Sequence, residues 1–174
     1  DCNLIGSWSE TGTNPMDLQP DFSLLMPLPA GDILLINRDI SAGADDMRSK
    51  VWDDSAGSWS GSWTTIDANA FDNTTYDAAF SATVDPSTGD IYLAYVDTSN
   101  GTLGGNNDDV RTATYSGGTW TNNTDVITNS TRGITLATIG VDINTGDIYV
   151  GYIGQTTPLT LNTTNVYWKS STDG

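Results

Sequence analysis

With 174 residues, 37% of them hydrophobic, and a net charge of −16 from 22 acidic against 6 basic residues, the chain is too apolar for a disordered polymer. Its few basic residues are too scattered to grip nucleic acid, and no apolar run approaches the roughly 18–20 residues of a membrane helix. The absence of histidine and the lone Cys2 remove Ser-His-Asp and Cys-His catalysis, histidine metal sites and any internal disulfide.

The first residues, DCNLIGSWSE, lack the basic, apolar, small-residue order of a secretory signal, so a mature product or a signal lying elsewhere is expected. GSWSETGT (6–13) reads as the last strand of a sheet whose other strands are absent, and residues 1–20 are expected to complete a neighbouring blade. From residue 21 the chain alternates apolar and polar residues between Gly and Asp clusters, the pattern of half-buried strands separated by turns. FSLLMPLPAGDILLIN (22–37), DDMRSKVW (45–52) and SGSWTTI (60–66) form a first unit. A second follows in AAFSATVDPSTG (78–89), DIYLAYVD (90–97), DDVRTATYSGG (108–118) and TWTNNTDVI (119–127). In the second unit Ile91, Leu93 and Tyr95 are expected on one face and Tyr92 and Ala94 on the other. The third unit runs through LATIGVDINTGDIYVGYIG (136–154) to NVYWKSS (165–171) and stops before a fourth strand.

These units are copies of one plan. GDILLIN (31–37) returns as GDIYLAY (89–95) and GDIYVGY (146–152), so Gly31 to Gly89 is 58 residues and Gly89 to Gly146 is 57. The turns DPSTGD (85–90) and DINTGD (142–147) supply Pro or Asn/Asp chemistry and a Gly for positive φ. A four-stranded antiparallel meander repeated at this period predicts an all-β fold of β-propeller blades in an incomplete ring. The expected division is blade 1 at 21–67, blade 2 at 68–127 and blade 3 at 128–174, the last lacking its fourth strand.

Every acidic residue but Glu10 is Asp, which favours turns and loops over helix faces. Sequons at Asn73, Asn122, Asn129 and Asn162 mark glycosylation sites if the protein is exported, and with the Asp/Thr/Gly-rich surface they point to an extracellular or cell-surface setting.

VYWKSSTDG (166–174) resembles the Asp-box of the bacterial neuraminidase (sialidase) repeat superfamily, Ser-x-Asp-x-Gly-x-Thr-Trp. Ser171, Asp173 and Gly174 supply its first half; YSGGTW (115–120) and SGSW (60–63) keep the Gly and Trp without the Asp. The resemblance implies a structural turn between third and fourth strands, on the face opposite an active site. It also implies a fold used by sialidases, by other glycoside hydrolases and by non-catalytic modules.

In such blades function is expected on the opposite loops, which hold Arg38, Asp39, Tyr76, Asp77, Asp97, Asp109 and Arg132. A sialidase of the resembled family needs three Arg, a Tyr with a Glu partner and an Asp. Here Arg48 and Arg111 sit at equivalent repeat positions, which points to structural pairing with Asp46 and Asp109, and the sole Glu10 lies in the wrong region. No catalytic residue is assigned. The acidic loop 97–109 has oxygen ligands for calcium without EF-hand spacing, while the recurring Asp-x-x-x-Gly-Asp segments read as hairpin turns. Trp8, Trp63 and Trp120 share one repeat position and are expected to pack between blades, as are Trp52 and Trp168 in third strands.

The sequence thus predicts a non-catalytic extracellular module that binds a glycan or protein ligand or assembles with further copies. The alternatives are a fragment of a sialidase-like glycoside hydrolase and a half-propeller that closes into a ring or extends into a filament.

Overall fold

The computed structural model describes residues 20–39, 46–68, 70, 80–97, 109–123, 125–128, 133–155 and 164–171. Among the described residues twelve strands form three antiparallel sheets that stack in chain order. The first sheet holds β1 (Pro20–Pro27), β2 (Ile33–Asp39), β3 (Asp46–Asp53), β4 (Ser58–Trp59) and β5 (Thr64–Asp67). In the second are β6 (Phe80–Val84), β7 (Ile91–Asp97), β8 (Asp109–Ser116) and β9 (Thr119–Asn122). The third comprises β10 (Gly133–Val141), β11 (Ile148–Gln155) and β12 (Thr164–Ser171). Of the expected leading segment only Pro20 is among the described residues, and it begins β1.

The repeated heptapeptide is the second strand of each sheet, and its alternation decides the stacking. Ile91, Leu93 and Tyr95 of β7 point back to the first sheet and pack with Leu34, Ile36 and Met47. Ala94 and Val96 point onward to the third sheet and pack with Ile134, Ala137 and Val150. All seven residues of β7 are buried, because a sheet flanked on both faces has no solvent side. Full burial of each large aliphatic here contributes about 1.5–3 kcal/mol.

The turns follow the same repetition. In the second sheet Asp85 accepts from the backbone N–H and hydroxyl of Ser87 at 2.8 and 2.7 Å, and Gly89 N–H donates to the Asp85 carbonyl at 2.8 Å. The third sheet repeats this with Asn144 on Asp142 at 2.9 Å and Gly146 N–H on the Asp142 carbonyl at 2.8 Å. Gly89 and Gly146 take φ of 79° and 80°, the left-handed region in which a Cβ is strained. Both carboxylates are thereby engaged in closing hairpins.

One strand differs from expectation. Pairing begins before SGSWTTI (60–66), with β4 at Ser58–Trp59, and within that segment resumes only at β5; between them the Ser60 N–H donates to the Val51 carbonyl at 2.7 Å and the Ser60 hydroxyl accepts from Val51 N–H at 3.3 Å. The extra residues bulge out before pairing with β3 resumes at Thr64.

Candidate functional site

Two places concentrate chemistry: the end of the sheets where β2, β5 and β7 finish and β3 and β8 begin, and a groove between the second and third sheets. The first is where the sequence put its candidate loops. Antiparallel pairing sets Asp39 opposite Asp46 and Asp97 opposite Asp109, so like charges face each other across two hairpins. An arginine answers each pair. Arg48 reaches Asp46 at 2.7 Å and Asp39 at 3.3 Å. Arg111 reaches Asp97 at 2.6 Å, Asp125 at 2.8 Å and Asp67 at 3.3 Å.

The expected Arg48–Asp46 pairing is present, whereas Arg111 gathers acids from further away in sequence. Asp67 belongs to the first sheet, so Arg111 ties two sheets together. Tyr95 strengthens that tie by donating its hydroxyl to Asp67 at 2.6 Å. Burial, reinforced by the Asp67 hydrogen bond and charge, pushes the Tyr95 phenol well above its ordinary value. For Arg111 burial acts to lower the pKa, but Asp97 and Asp125 outweigh it and the net shift is upward. The guanidinium stays charged at any ordinary pH.

Of the sequence candidates, Asp39 and Asp97 are therefore held by arginines at this end. Arg38 is only 2% exposed and Asp109 is also buried, so neither presents a surface group. Tyr76, Asp77 and Arg132 lie outside the described residues, as do Asn73, Asn129, Asn162, Asp173 and Gly174. Ser171 ends β12. Asn122 has a role the sequon does not reveal: its Nδ2, the atom a glycan would take, donates to the Ile66 carbonyl of the first sheet at 2.8 Å. Among the described residues no group of three or more His, Cys, Asp or Glu is arranged to hold a metal ion, and loop residues 98–108 lie outside them.

The groove was not foreseen. It has a volume of about 480 Å³. Tyr92, Thr112 and Thr114 line it from the second sheet, and Ile139, Val150 and Lys169 from the third. The Lys169 ammonium crosses it to donate to the Val126 carbonyl at 2.7 Å. At the equivalent place between the first and second sheets stands Trp120, whose Nε1–H donates to the Ser49 hydroxyl at 2.8 Å. The expected equivalence of Trp63 and Trp120 does not hold: opposite Trp52, which matches Tyr115, the first sheet sets Trp59, because the bulge at residues 60–63 displaces Trp63 from the ladder.

No family model matches the sequence, and no curated protein matches it. Solved structures do. An α-L-arabinanase of Penicillium chrysogenum, complexed with arabinobiose, superposes with a TM-score of 0.58 at 14% identity, over 90% of this chain and 48% of its own. Polysaccharide lyase Uly1 gives 0.61 at 14% identity, over 87% of this chain and 40% of its own. The Hadza microbial sialidase Hz136 gives 0.54 at 12% identity, over 87% and 35%. The fold is that of part of a β-propeller. The chain spans less than half the length of each of these three neighbours.

Proposed function

We propose that this chain is a non-catalytic propeller piece of an exported or surface-displayed protein, working by binding or assembly. What carries the reading is the use made of its arginines. Catalysis on an acidic sugar needs guanidinium groups presented to the substrate carboxylate. Arg48 and Arg111 instead grip five acids of the fold, and Arg38 is buried. The Tyr95–Asp67 pair resembles an activated phenol in composition only, since Tyr95 is 1% exposed and its phenol is held protonated.

The second reading is half of a glycoside hydrolase whose other blades carry the catalytic groups. It is favoured by the solved neighbours, which act on saccharides and are more than twice as long as the aligned region. Under either reading the ligand class is a glycan met at the loop end. Calcium belongs to the same proposal through the acidic loop 97–109.

Titrating the purified chain with arabino-oligosaccharides and sialyllactose by calorimetry, with and without calcium, is the direct test. Alongside it, fluorogenic sialosides and arabinosides report turnover. Saturable binding without turnover is the expected result. Turnover that co-purifies with the chain and is lost in Arg111→Met would overturn the non-catalytic reading.

A further inference from the structure

We infer that the loop end of the third sheet holds a saccharide subsite selective for uncharged sugars, formed by the half-buried ring of Tyr167 and the exposed amide of Asn165. The inference rests on the loop-end glycan reading and names the class of glycan and the residues that meet it.

The internal repeat singles out this place. In each of the first two sheets the second strand ends and the third begins on facing aspartates, Asp39 with Asp46 and Asp97 with Asp109. Two residues further along the third strand stands the arginine of the clamp, Arg48 opposite Asn37 and Arg111 opposite Tyr95. The same register in the third sheet sets Gly154 opposite Asn165 and Tyr167 opposite Tyr152. Aspartate, aspartate and arginine thus give way together to glycine, asparagine and tyrosine. The third hairpin carries no charged residue at any of these positions.

The replacements fit one another. The rings of Tyr152 and Tyr167 stack with centroids 5.2 Å apart and planes inclined by 20°. A Cβ on residue 154 would stand 3.3 Å from Cε2 of Tyr167 and 3.7 Å from Cε2 of Tyr152, so the glycine gives the pair its room. Tyr152 is buried among Ala94, Val96 and Val110 of the second sheet, which makes it the support of the stack. Tyr167 packs against the same cluster and stays half-buried, so part of its ring meets solvent. Asn165 is exposed, and its Nδ2 donates to the Tyr167 hydroxyl at 3.3 Å. That bond takes one of the two amide donors and fixes the amide beside the ring.

A sugar ring offers a face of C–H groups and a rim of hydroxyls. An aromatic ring meets the first, and an amide, which both donates and accepts, meets the second. A sugar carboxylate calls for a guanidinium instead. Arg48 and Arg111 are already held by carboxylates of the fold. The adjacent hairpin adds Asp97 and Asp109, and the chain carries −16 overall, so an acidic sugar meets repulsion here.

The test is calorimetric titration of the full chain with an arabino-oligosaccharide, with lactose, and with sialyllactose, which is lactose bearing an acidic sugar. At least one neutral probe should bind, about tenfold or more tighter than sialyllactose. Ring-labelled tyrosine reads the contact directly. Of the seven tyrosines, the one whose signal is missing from Tyr167→Phe should shift as the neutral saccharide is added to the parent chain. Asn165→Ala, at an exposed position, should weaken binding a few-fold and leave the melting temperature unchanged. Gly154→Asp, which restores the residue of the other two sheets, should weaken it about tenfold by displacing the ring and adding charge. A neutral saccharide that binds without moving the Tyr167 signal, and binds Asn165→Ala equally well, would overturn this subsite and leave the loop-end reading standing. Sialyllactose binding more tightly than lactose and the arabino-oligosaccharide would overturn the selectivity. Binding of none of the three would overturn the subsite and the loop-end reading together.

Discussion

The boundary between the first and second sheets and the boundary between the second and third are built from the same repeated strands yet hold together differently. At the first, Trp120 wedges between Tyr115 and Ser49, Asn122 donates to Ile66, and Arg111 and Tyr95 converge on Asp67. At the second, Ala94, Val96 and Val110 meet Ile134, Ala137 and Val150, and the outer half is a groove bridged by Lys169. The contrast separates two sources of cohesion. Inner strands supply apolar contact wherever the heptapeptide recurs, whereas a fourth strand supplies the indole and polar ties at the periphery. Where no described fourth strand follows, the inner core still forms and the periphery stays open. Trp168 shows the same logic. Expected in packing, it is 69% exposed beside Tyr149, because no described sheet follows the third.

The comparison breaks most sharply at Trp120. Trp120→Ala should make the first boundary resemble the second, at a cost of about 3 kcal/mol, the lower end for truncating a large aromatic because the ring is only half-buried. Urea unfolding followed by circular dichroism reads this. A loss below ~1 kcal/mol would mean that the wedge adds little to the inner core.

Arg111→Met comes next. Removing one guanidinium leaves Asp97, Asp67 and Asp125 close together, with Asp97 almost wholly buried. Breaking a fully buried pair costs about 3–5 kcal/mol, and the partial exposure of Arg111 brings the expectation to about 2. Arg48→Met, acting within the first sheet alone, should cost less. Equal losses would show that tying two sheets confers no advantage over tying one hairpin.

The smallest effect is a pH dependence. A folded-state pKa raised above the ordinary tyrosine value of about 10 gives Tyr95 a contribution that is complete below that pH. It is lost progressively as pH rises from there toward the folded value. Thermal melts should therefore fall at alkaline pH, and Tyr95→Phe should flatten that limb while lowering stability near neutrality through the lost Asp67 bond. An unchanged slope would remove Tyr95 as its source. At the acid end the sign reverses. The Ser87 hydroxyl and N–H hold Asp85 below the usual carboxylate range, so its contribution is present near neutrality and lost on acidification below pH about 4.

Period-two alternation in GDIYLAY was enough to assign β7, its two faces and the order of strands in each unit. The Asp-x-x-x-Gly-Asp turns were legible too, because both depend on residues close together in the chain. Equivalence of Arg48 and Arg111 pointed correctly to structural pairing. The Asp46 partner of Arg48 followed from it, but the three acids that Arg111 holds did not. Asp67 lies 44 residues from Arg111, and only stacking of one sheet on another makes them neighbours. The groove, the Asn122 tie to Ile66 and the exposure of Trp168 are of the same kind, since each depends on whether a neighbouring sheet supplies an atom. Strand formation is a local preference written in alternation, while closure between sheets is a many-body outcome of packing at distances the linear repeat does not encode.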